Sequence, residues 1–127
     1  MSTLNSAHNR AVWFDIPVAD LERAARFYAA VLNINVEQLA NDDEPFGLLE
    51  HHEGNGGCLV LGKEEIASGG VLVYMNVNGR IRDAVGKVIP HGGSILHDVH
   101  SIGPHGFRAV VLDSEGNRIA LHSESDI

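Results

Sequence analysis

Histidines are the residues of this chain whose type and spacing point most directly to chemistry. The sequence has 8 of them, and His97, His100 and His105 follow one another closely. Imidazole nitrogens bind divalent metals and exchange protons near neutral pH. Residues 97 and 100 of an extended strand would point to opposite faces, so a shared metal requires a turn near Asp98. Two interpretations stay open, an unusual metal site or solvated histidines of a loop over a pocket, and no second ligand pair at a zinc spacing supports the first.

Asp15 is the next candidate, because it places a carboxylate inside the apolar strand AVWFDIP, residues 11–17. A carboxylate that leaves water needs a partner. Either it forms a structural ion pair, with Arg118 or Arg108, or it acts as a general base or an acceptor that orients a ligand. Cys58, the only cysteine, precedes three apolar residues, which predicts a buried and inert thiol.

Composition limits the classes of partner. The chain has 127 residues, 44% of them apolar, which suits one globular domain over 1–127. Its formal charge of −8, with 9 Lys plus Arg, argues against nucleic acid. A single cysteine excludes a disulfide framework, and no apolar run approaches the ~18 residues of a membrane span. The polar N-terminus, MSTLNSAHNR, lacks the apolar core of a signal peptide, so we expect a cytoplasmic protein without a membrane partner.

The elements that would position these residues occur twice. Pro17 ends the first strand, Asp20 is placed to cap a helix through Leu32, and Asn33 suits its left-handed end. Strands are predicted at 34–40, 46–52 and 58–62, then a strand at 70–77, a helix at 79–90, and strands at 94–99, 107–113 and 118–122. Val18 and Val77 hold matching places 59 residues apart. The pattern therefore predicts two βαβββ modules, at 11–62 and 70–123.

This duplication, with the segments IPVADLERAARFYAAVL, VNGRIRDAVGKVIPHGG and DSEGNRIALHS, resembles the vicinal oxygen chelate superfamily of glyoxalase I, bleomycin-resistance proteins and extradiol dioxygenases. The likeness covers about residues 11–123 and looks closest to the glyoxalase-related members. It implies an α+β fold in which two βαβββ modules form a curved, cleft-bearing mixed sheet with the helices outside. It also implies a homodimer, for which an exposed sheet edge gives a physical reason.

The resemblance also says where a metal would be bound. In the superfamily's metalloenzymes a His or Gln stands five residues before the Val that ends the first strand of each half, and a Glu stands on a last strand. The matching positions here are Trp13, Leu72, Ala120 and one near Val60 or Leu61. None of these side chains binds a divalent metal. We therefore expect no metal and no cofactor, and the chemistries of glyoxalase I and of extradiol dioxygenases are disfavoured.

The same positions predict which side chains line the cleft, because residues two apart in a strand share a face. They are Trp13 with Asp15 on the first strand, Tyr74 with Asn76 on the fifth, and His122 on the last. We take Asp15 and His122 as catalytic candidates and the other three, together with His100, as ligand-binding candidates. The aromatic residues equally suit a core, and His122 a structural role.

Two functions follow from this map. The first is metal-independent binding of a small organic molecule, as in the antibiotic-sequestering members of the superfamily. The second is a glyoxalase-related lyase or isomerase that uses Asp15 and His122, or a metal at the loop histidines. Trp13 and the unsuitable ligand positions favour the first, while Asp15 favours the second, so whether the chain is an enzyme stays open.

Overall fold

Each half of the chain forms one four-stranded mixed sheet. The structure, a computed structural model, describes residues 7–127, so the first six residues of the polar N-terminal segment lie outside it. Module one comprises β1 (Trp13–Val18), α1 (Leu21–Leu32), β2 (Val36–Asn41), β3 (Glu44–Leu49) and β4 (Gly56–Leu61), with strand order β1-β4-β3-β2. Module two comprises β5 (Val73–Asn76), α2 (Ile81–Gly86), β6 (Ser94–Ser101), β7 (Phe107–Leu112) and β8 (Arg118–Ser123), with order β5-β8-β7-β6. The predicted α+β class with two βαβββ modules is confirmed.

Helix α1 begins and ends where its sequence signals indicate. The side chain of Asp20 accepts a hydrogen bond from the backbone N–H of Arg23 at 3.0 Å, which satisfies a free donor of the first turn. Asn33 ends the helix in the left-handed conformation, with φ 55° and ψ 53°. The inward side of the helix is buried, and it packs on β2, β3 and β4.

The second helix is shorter than the predicted span of 79–90. Residues Ile81–Gly86 are α-helical, and a separate 3₁₀ turn covers Ile89–His91. Pro90 lies in that turn and has no N–H to donate to the carbonyl of Gly86, four residues earlier, so the α-helix does not continue through it. Gly92, with φ 95°, then reverses the chain into β6.

Each sheet carries a helix on one face and leaves its other face open. Ile16 and Val18 of β1 are buried beneath α1, while Asp15, which precedes Ile16 and points to the other side of the strand, is exposed. On β5, Met75 is 5% exposed and Tyr74 is 46% exposed. The helices also contact each other, so one apolar core extends through both modules. The side without helices is called the open face of each module below.

The turn Asp113–Asn117 between β7 and β8 links the modules. The hydroxyl of Tyr28, buried in α1, donates to Asp113 Oδ2 at 2.5 Å. Asn117 Nδ2 donates to the backbone oxygen of Pro17 at 2.7 Å. Glu115 Oε1 accepts from the two backbone N–H groups that precede α1, at 3.0 and 2.9 Å. The predicted hairpin is thus also one of the contacts that hold one module against the other, beside the packing of the two helices. Within residues 7–127 the structure has no helix of the length and apolarity that a membrane crossing requires.

Candidate functional site

The two open faces are built on the same strand register. Asp15 lies opposite Cys58 in the parallel pair β1–β4, and Tyr74 lies opposite Ala120 in the parallel pair β5–β8. Asp15 and Tyr74 are therefore equivalent positions, and so are Cys58 and Ala120. The counterpart of Ala120 is therefore Cys58, and the predicted position near Val60 or Leu61 is wrong.

The equivalence extends to the next strand of each sheet. Phe46 of β3 is opposite Val60, and Arg108 of β7 is opposite His122. Val60 therefore corresponds to His122, and Phe46 corresponds to Arg108. At matched backbone positions, module one presents apolar side chains where module two presents an imidazole and a guanidinium.

The open face of module one has a chain of three polar side chains. Trp13 Nε1 donates to Cys58 Sγ at 3.3 Å, and Cys58 Sγ donates to Asp15 Oδ1 at 3.4 Å. Burial raises the pKa of the Cys58 thiol, the hydrogen bond from Trp13 lowers it, and Asp15 raises it, with a net increase. Asp15 also lines a cavity of about 540 Å³ that includes Asp43 and Glu44.

Asp15 is therefore an exposed carboxylate beside a thiol. Neither ion pair that the sequence suggested forms among residues 7–127, because the guanidinium of Arg118 donates to the Gly70 oxygen and that of Arg108 donates to Tyr74 and His100. A carboxylate on an open face stays hydrated and does not require the buried partner that its apolar strand implied.

Arg108 is at the centre of the open face of module two. Its Nη1 donates to the hydroxyl of Tyr74 at 2.6 Å. Its Nε and Nη2 both donate to His100 Nε2, at 3.2 and 3.1 Å. The guanidinium carbon lies 5.9 Å from the centroid of the Tyr74 ring. These contacts bring the predicted ligand-binding residues Tyr74 and His100 together around Arg108, which the sequence suggested only as a partner for Asp15.

His122 lies beside Arg108 and lines the same cavity. Its Nε2 donates to the backbone oxygen of His105 at 2.7 Å, which leaves Nδ1 as the unprotonated nitrogen of the neutral ring. Its ring centroid lies 6.4 Å from that of Tyr74. A cavity of about 500 Å³ is lined by Tyr74, Ile102, His105, Arg108 and His122.

The remaining predicted residues are placed less centrally. Asn76 ends β5, and its Oδ1 accepts from the backbone N–H of Asn78 at 2.9 Å, so its carbonyl group is used by a turn. Trp13 lies on the open face of module one, against the edge of His51 at a centroid distance of 5.3 Å. Asp15 and His122, the two catalytic candidates, line different cavities.

His97 and His100 approach each other because β6 is irregular. The β6–β7 register shifts at Ile95–His97 and again at His97–His100, and the two Nδ1 atoms lie 3.2 Å apart. The shifts replace the turn near Asp98 that a regular strand would have needed. His105 belongs to the 3₁₀ turn Gly103–His105, where its backbone oxygen accepts from His122.

Three of the four side chains at the superfamily's metal positions cannot bind a metal ion. Trp13, Leu72 and Ala120 offer no ligand atom for a divalent cation. Cys58, at the fourth position by register, is held by Trp13 and Asp15. Across residues 7–127 no three His, Cys, Asp or Glu side chains are grouped so that they could hold a metal.

The sequence does contain a signal for the role of Arg108. The strand FRAVVL is otherwise apolar, and a single arginine within it, two residues from Val110, shares a sheet face with apolar neighbours. A strand arginine in that setting needs acceptors on adjacent strands. Its partners on β5 and β6 depend on pairing, which the local sequence does not give.

The sequence of this chain is similar to that of known proteins. A family model described as "Bleomycin resistance protein-like N-terminal" matches residues 10–38. A "Glyoxylase-like domain-containing protein" of Didymella fabae is 32% identical over 121 residues, which cover 90% of this chain and 93% of that protein.

Solved structures share the fold across nearly the whole chain. A hypothetical protein of S. aureus, SA1046, aligns with a TM-score of 0.69 and 18% identity over 91% of this chain and 94% of that one. A glyoxalase-related enzyme from Fulvimarina pelagi aligns with a TM-score of 0.66 and 17% identity, over 90% and 87%. The fosfomycin resistance protein FosX of Listeria monocytogenes aligns with a TM-score of 0.69 and 11% identity, over 92% and 94%. At these identities the likeness is one of fold.

Proposed function

This chain belongs to the vicinal oxygen chelate superfamily, among its glyoxalase-like and bleomycin-resistance-like members, and from that premise we propose that it binds a small organic molecule on its open sheet faces without a metal ion. The observation that carries the proposal is the cavity of module two, where Arg108, Tyr74 and His122 converge beside the apolar Ile102. Small-molecule sites typically combine apolar walls with a few placed polar groups.

The donor set supports metal independence. A metalloenzyme of this superfamily would need ligand atoms at positions that here hold indole, isobutyl and methyl side chains, in Trp13, Leu72 and Ala120. The ligand would instead be held by hydrogen bonds and aromatic contact, which need no cation.

The alternative function is acid–base catalysis by Asp15 and His122, as in a glyoxalase-related lyase or isomerase. A shared reaction would require both groups within reach of one substrate. They line separate cavities, and the Nε2 atom of His122 is bound to a backbone oxygen. The binding function is therefore the better supported of the two.

We also propose that the chain forms a homodimer in the cytoplasm. Leu61 at the end of β4 and Leu96 of β6 are 52% and 51% exposed, and β2 and β6 are sheet edges. Exposed apolar side chains and unpaired edges favour association of two copies. Light scattering after gel filtration measures the mass in solution, and fractionation of cells measures the location.

The binding proposal is tested by thermal shift on the full chain after chelator treatment. The probes are bleomycin, fosfomycin, lactoylglutathione and a panel of neutral, cationic and anionic aromatic fragments. A ligand at 100 times its Kd stabilises the folded state by about 2.7 kcal/mol, which a melting curve resolves. We expect at least one probe to bind with the same Kd before and after Zn²⁺, Ni²⁺ or Mn²⁺ is added.

Trp13, the only tryptophan, gives a second signal, because its indole lies on the open face of module one. Fluorescence quenching by a probe would report contact there. Binding that appears only with added metal would contradict metal independence, turnover of lactoylglutathione would favour the enzyme, and failure of every probe would contradict the proposed function.

A further inference from the structure

We propose that the open face of module two is a carboxylate site, in which Arg108 binds the acid group of a small organic acid whose apolar or aromatic body contacts Tyr74 and Ile102. This inference rests on the proposed small-molecule function and names the class of ligand.

The positive charge of Arg108 is not balanced within residues 7–127. Its three hydrogen bonds go to uncharged acceptors, the Tyr74 hydroxyl and His100 Nε2. Arg23, Arg26, Arg80 and Arg82, in contrast, each form an ion pair with a carboxylate. A half-buried guanidinium without a counter-ion gains more from an incoming anion than an exposed and paired one does.

The donors of Arg108 that remain match a carboxylate. A guanidinium has five N–H groups, and the protein bonds use the one on Nε, one on Nη1 and one on Nη2. One N–H on each terminal nitrogen is left without a partner among the described residues. Two donors on adjacent nitrogens can bind both oxygens of one carboxylate, which a lysine ammonium does not do in the same planar geometry.

The hydrogen bonds between Arg108 and His100 also disfavour the binding of a metal cation at this face. Because a guanidinium only donates, His100 Nε2 must be the acceptor and carry no hydrogen. The hydrogen of the neutral ring is then on Nδ1, which donates to the Asp98 backbone oxygen at 2.8 Å. A metal between the Nδ1 atoms of His97 and His100 would need that hydrogen removed, beside the charge of Arg108. The face therefore favours an anion over the metal that the spacing of the histidines suggested.

The side chains that line the two cavities differ in charge. The module two cavity is lined by Tyr74, Ile102, His105, Arg108 and His122, with no acidic side chain among them. The module one cavity is lined by three acidic side chains, Asp15, Asp43 and Glu44. In a chain of net charge −8, the face around Arg108 is thus a local exception that attracts an acid.

The test uses three probes with the same body and different charge: 2-naphthoate, 2-naphthamide and 2-naphthylmethylamine. Their Kd values for the full chain are measured by calorimetry and by ligand-observed NMR at low and high salt. We expect 2-naphthoate to bind at least tenfold more tightly than the other two, with the difference reduced at high salt. 2-Naphthyl phosphate, included as a second anion, is expected to bind less tightly than the carboxylate, since one guanidinium is the only permanent cation in the wall.

Two variants and a matched control locate the site. Arg108→Gln is expected to weaken 2-naphthoate at least tenfold and to leave 2-naphthamide unchanged, and Arg108→Lys is expected to restore only part of the loss. Arg26→Gln removes an exposed arginine of α1 and is expected to change nothing. In the wild-type chain, 2-naphthoate is also expected to shift the Nε resonance of Arg108, a measurement that does not depend on the folding of a variant.

The experiment distinguishes failure of the carboxylate site from failure of small-molecule binding as a whole. Equal binding of 2-naphthoate and 2-naphthamide, or 2-naphthoate binding that is unaffected by Arg108→Gln, would overturn the carboxylate site and leave small-molecule binding standing. A tighter Kd for the phosphate would replace the carboxylate as the ligand class. Absence of binding by all four probes and by the wider panel would overturn both proposals.

Discussion

Replacement of Glu115 by glutamine should weaken the contact between the modules and remove a specific part of the acid sensitivity of the fold. The Glu115 carboxylate is 0% exposed and Arg23, its partner on α1, is 46% exposed, with Nε–Oε2 at 2.7 Å. Burial raises the pKa of Glu115. The hydrogen bonds from Arg23, from the backbone N–H groups of Asp20 and Ala19, and from Ser114 lower it by more, so the net change is a decrease from 4.5 to about 2.

The size of the effect follows from that pKa. A decrease from 4.5 to about 2 on folding corresponds to roughly 3 kcal/mol of stability, at about 1.4 kcal/mol for each pH unit. Because the folded-state value is the lower one, this stability is fully present above about pH 4.5 and is lost as the pH falls toward 2. Glu115→Gln keeps the volume and removes the charge, so we expect a loss of roughly 2–3 kcal/mol at pH 7 that shrinks between pH 4.5 and 2.

Urea denaturation at a series of pH values, followed by Trp13 fluorescence and by circular dichroism, measures this loss. Glu22→Gln is the matched control, because the Glu22–Arg26 pair of α1 is 73% and 64% exposed and should contribute below about 0.5 kcal/mol. Coincident transitions by the two probes are expected if the modules unfold as one domain. The reasoning is refuted if both variants lose the same stability at pH 7, or if the deficit of Glu115→Gln is constant down to pH 2.5.

Four further outcomes are expected, at Tyr28, Gly57, Gly86 and Cys58. Tyr28→Phe should cost roughly 1–3 kcal/mol in urea denaturation, because the buried Asp113 carboxylate loses a donor; an unchanged midpoint would contradict this. Gly57→Ala should destabilise by about 1–3 kcal/mol, since a Cβ there would collide with the backbone oxygen of β1, whereas Gly86→Ala, with open space around it, should stabilise by about 0.4–1 kcal/mol. The Cys58 thiol should react more slowly with a disulfide reagent at pH 8 than free cysteine does, because its pKa is raised, and unfolding in urea should remove the difference; equal rates in the folded chain would be the contrary result.

Local signals predicted the parts of the fold that local forces determine. Asp20 and Asn33 mark the ends of α1 because a side-chain acceptor and a left-handed residue are needed there, whatever lies elsewhere in the chain. The alternation along β1 and β5 likewise predicted that Asp15 and Tyr74 lie on the open faces, since strand geometry allows only two sides.

Pairing between distant strands could not be predicted in the same way. The offset of 59 residues holds for the first strands, but Cys58 and Ala120 are 62 residues apart, so the counterpart of Ala120 was misplaced at Val60 or Leu61. Segments of different length between the strands of the two modules produce this difference. The irregular register of β6, which brings His100 to Arg108, has no signature in the local sequence either.

The equivalence of the two open faces isolates what makes them chemically different. Their backbones share strand order and the pairing of the matched positions, so the chemical difference between the faces comes from the side chains there. At two matched positions the apolar Phe46 and Val60 of module one correspond to Arg108 and His122 of module two, which carry nitrogen donors. At a third position Asp15 of module one corresponds to Tyr74 of module two. Tyr74 carries no negative charge, and its hydroxyl accepts the hydrogen bond that holds the Arg108 guanidinium in place. A preference for an organic acid would therefore come from three side chains on one half of a duplicated fold, and it is the identity of those side chains, not membership of the superfamily, that supports assigning a ligand class.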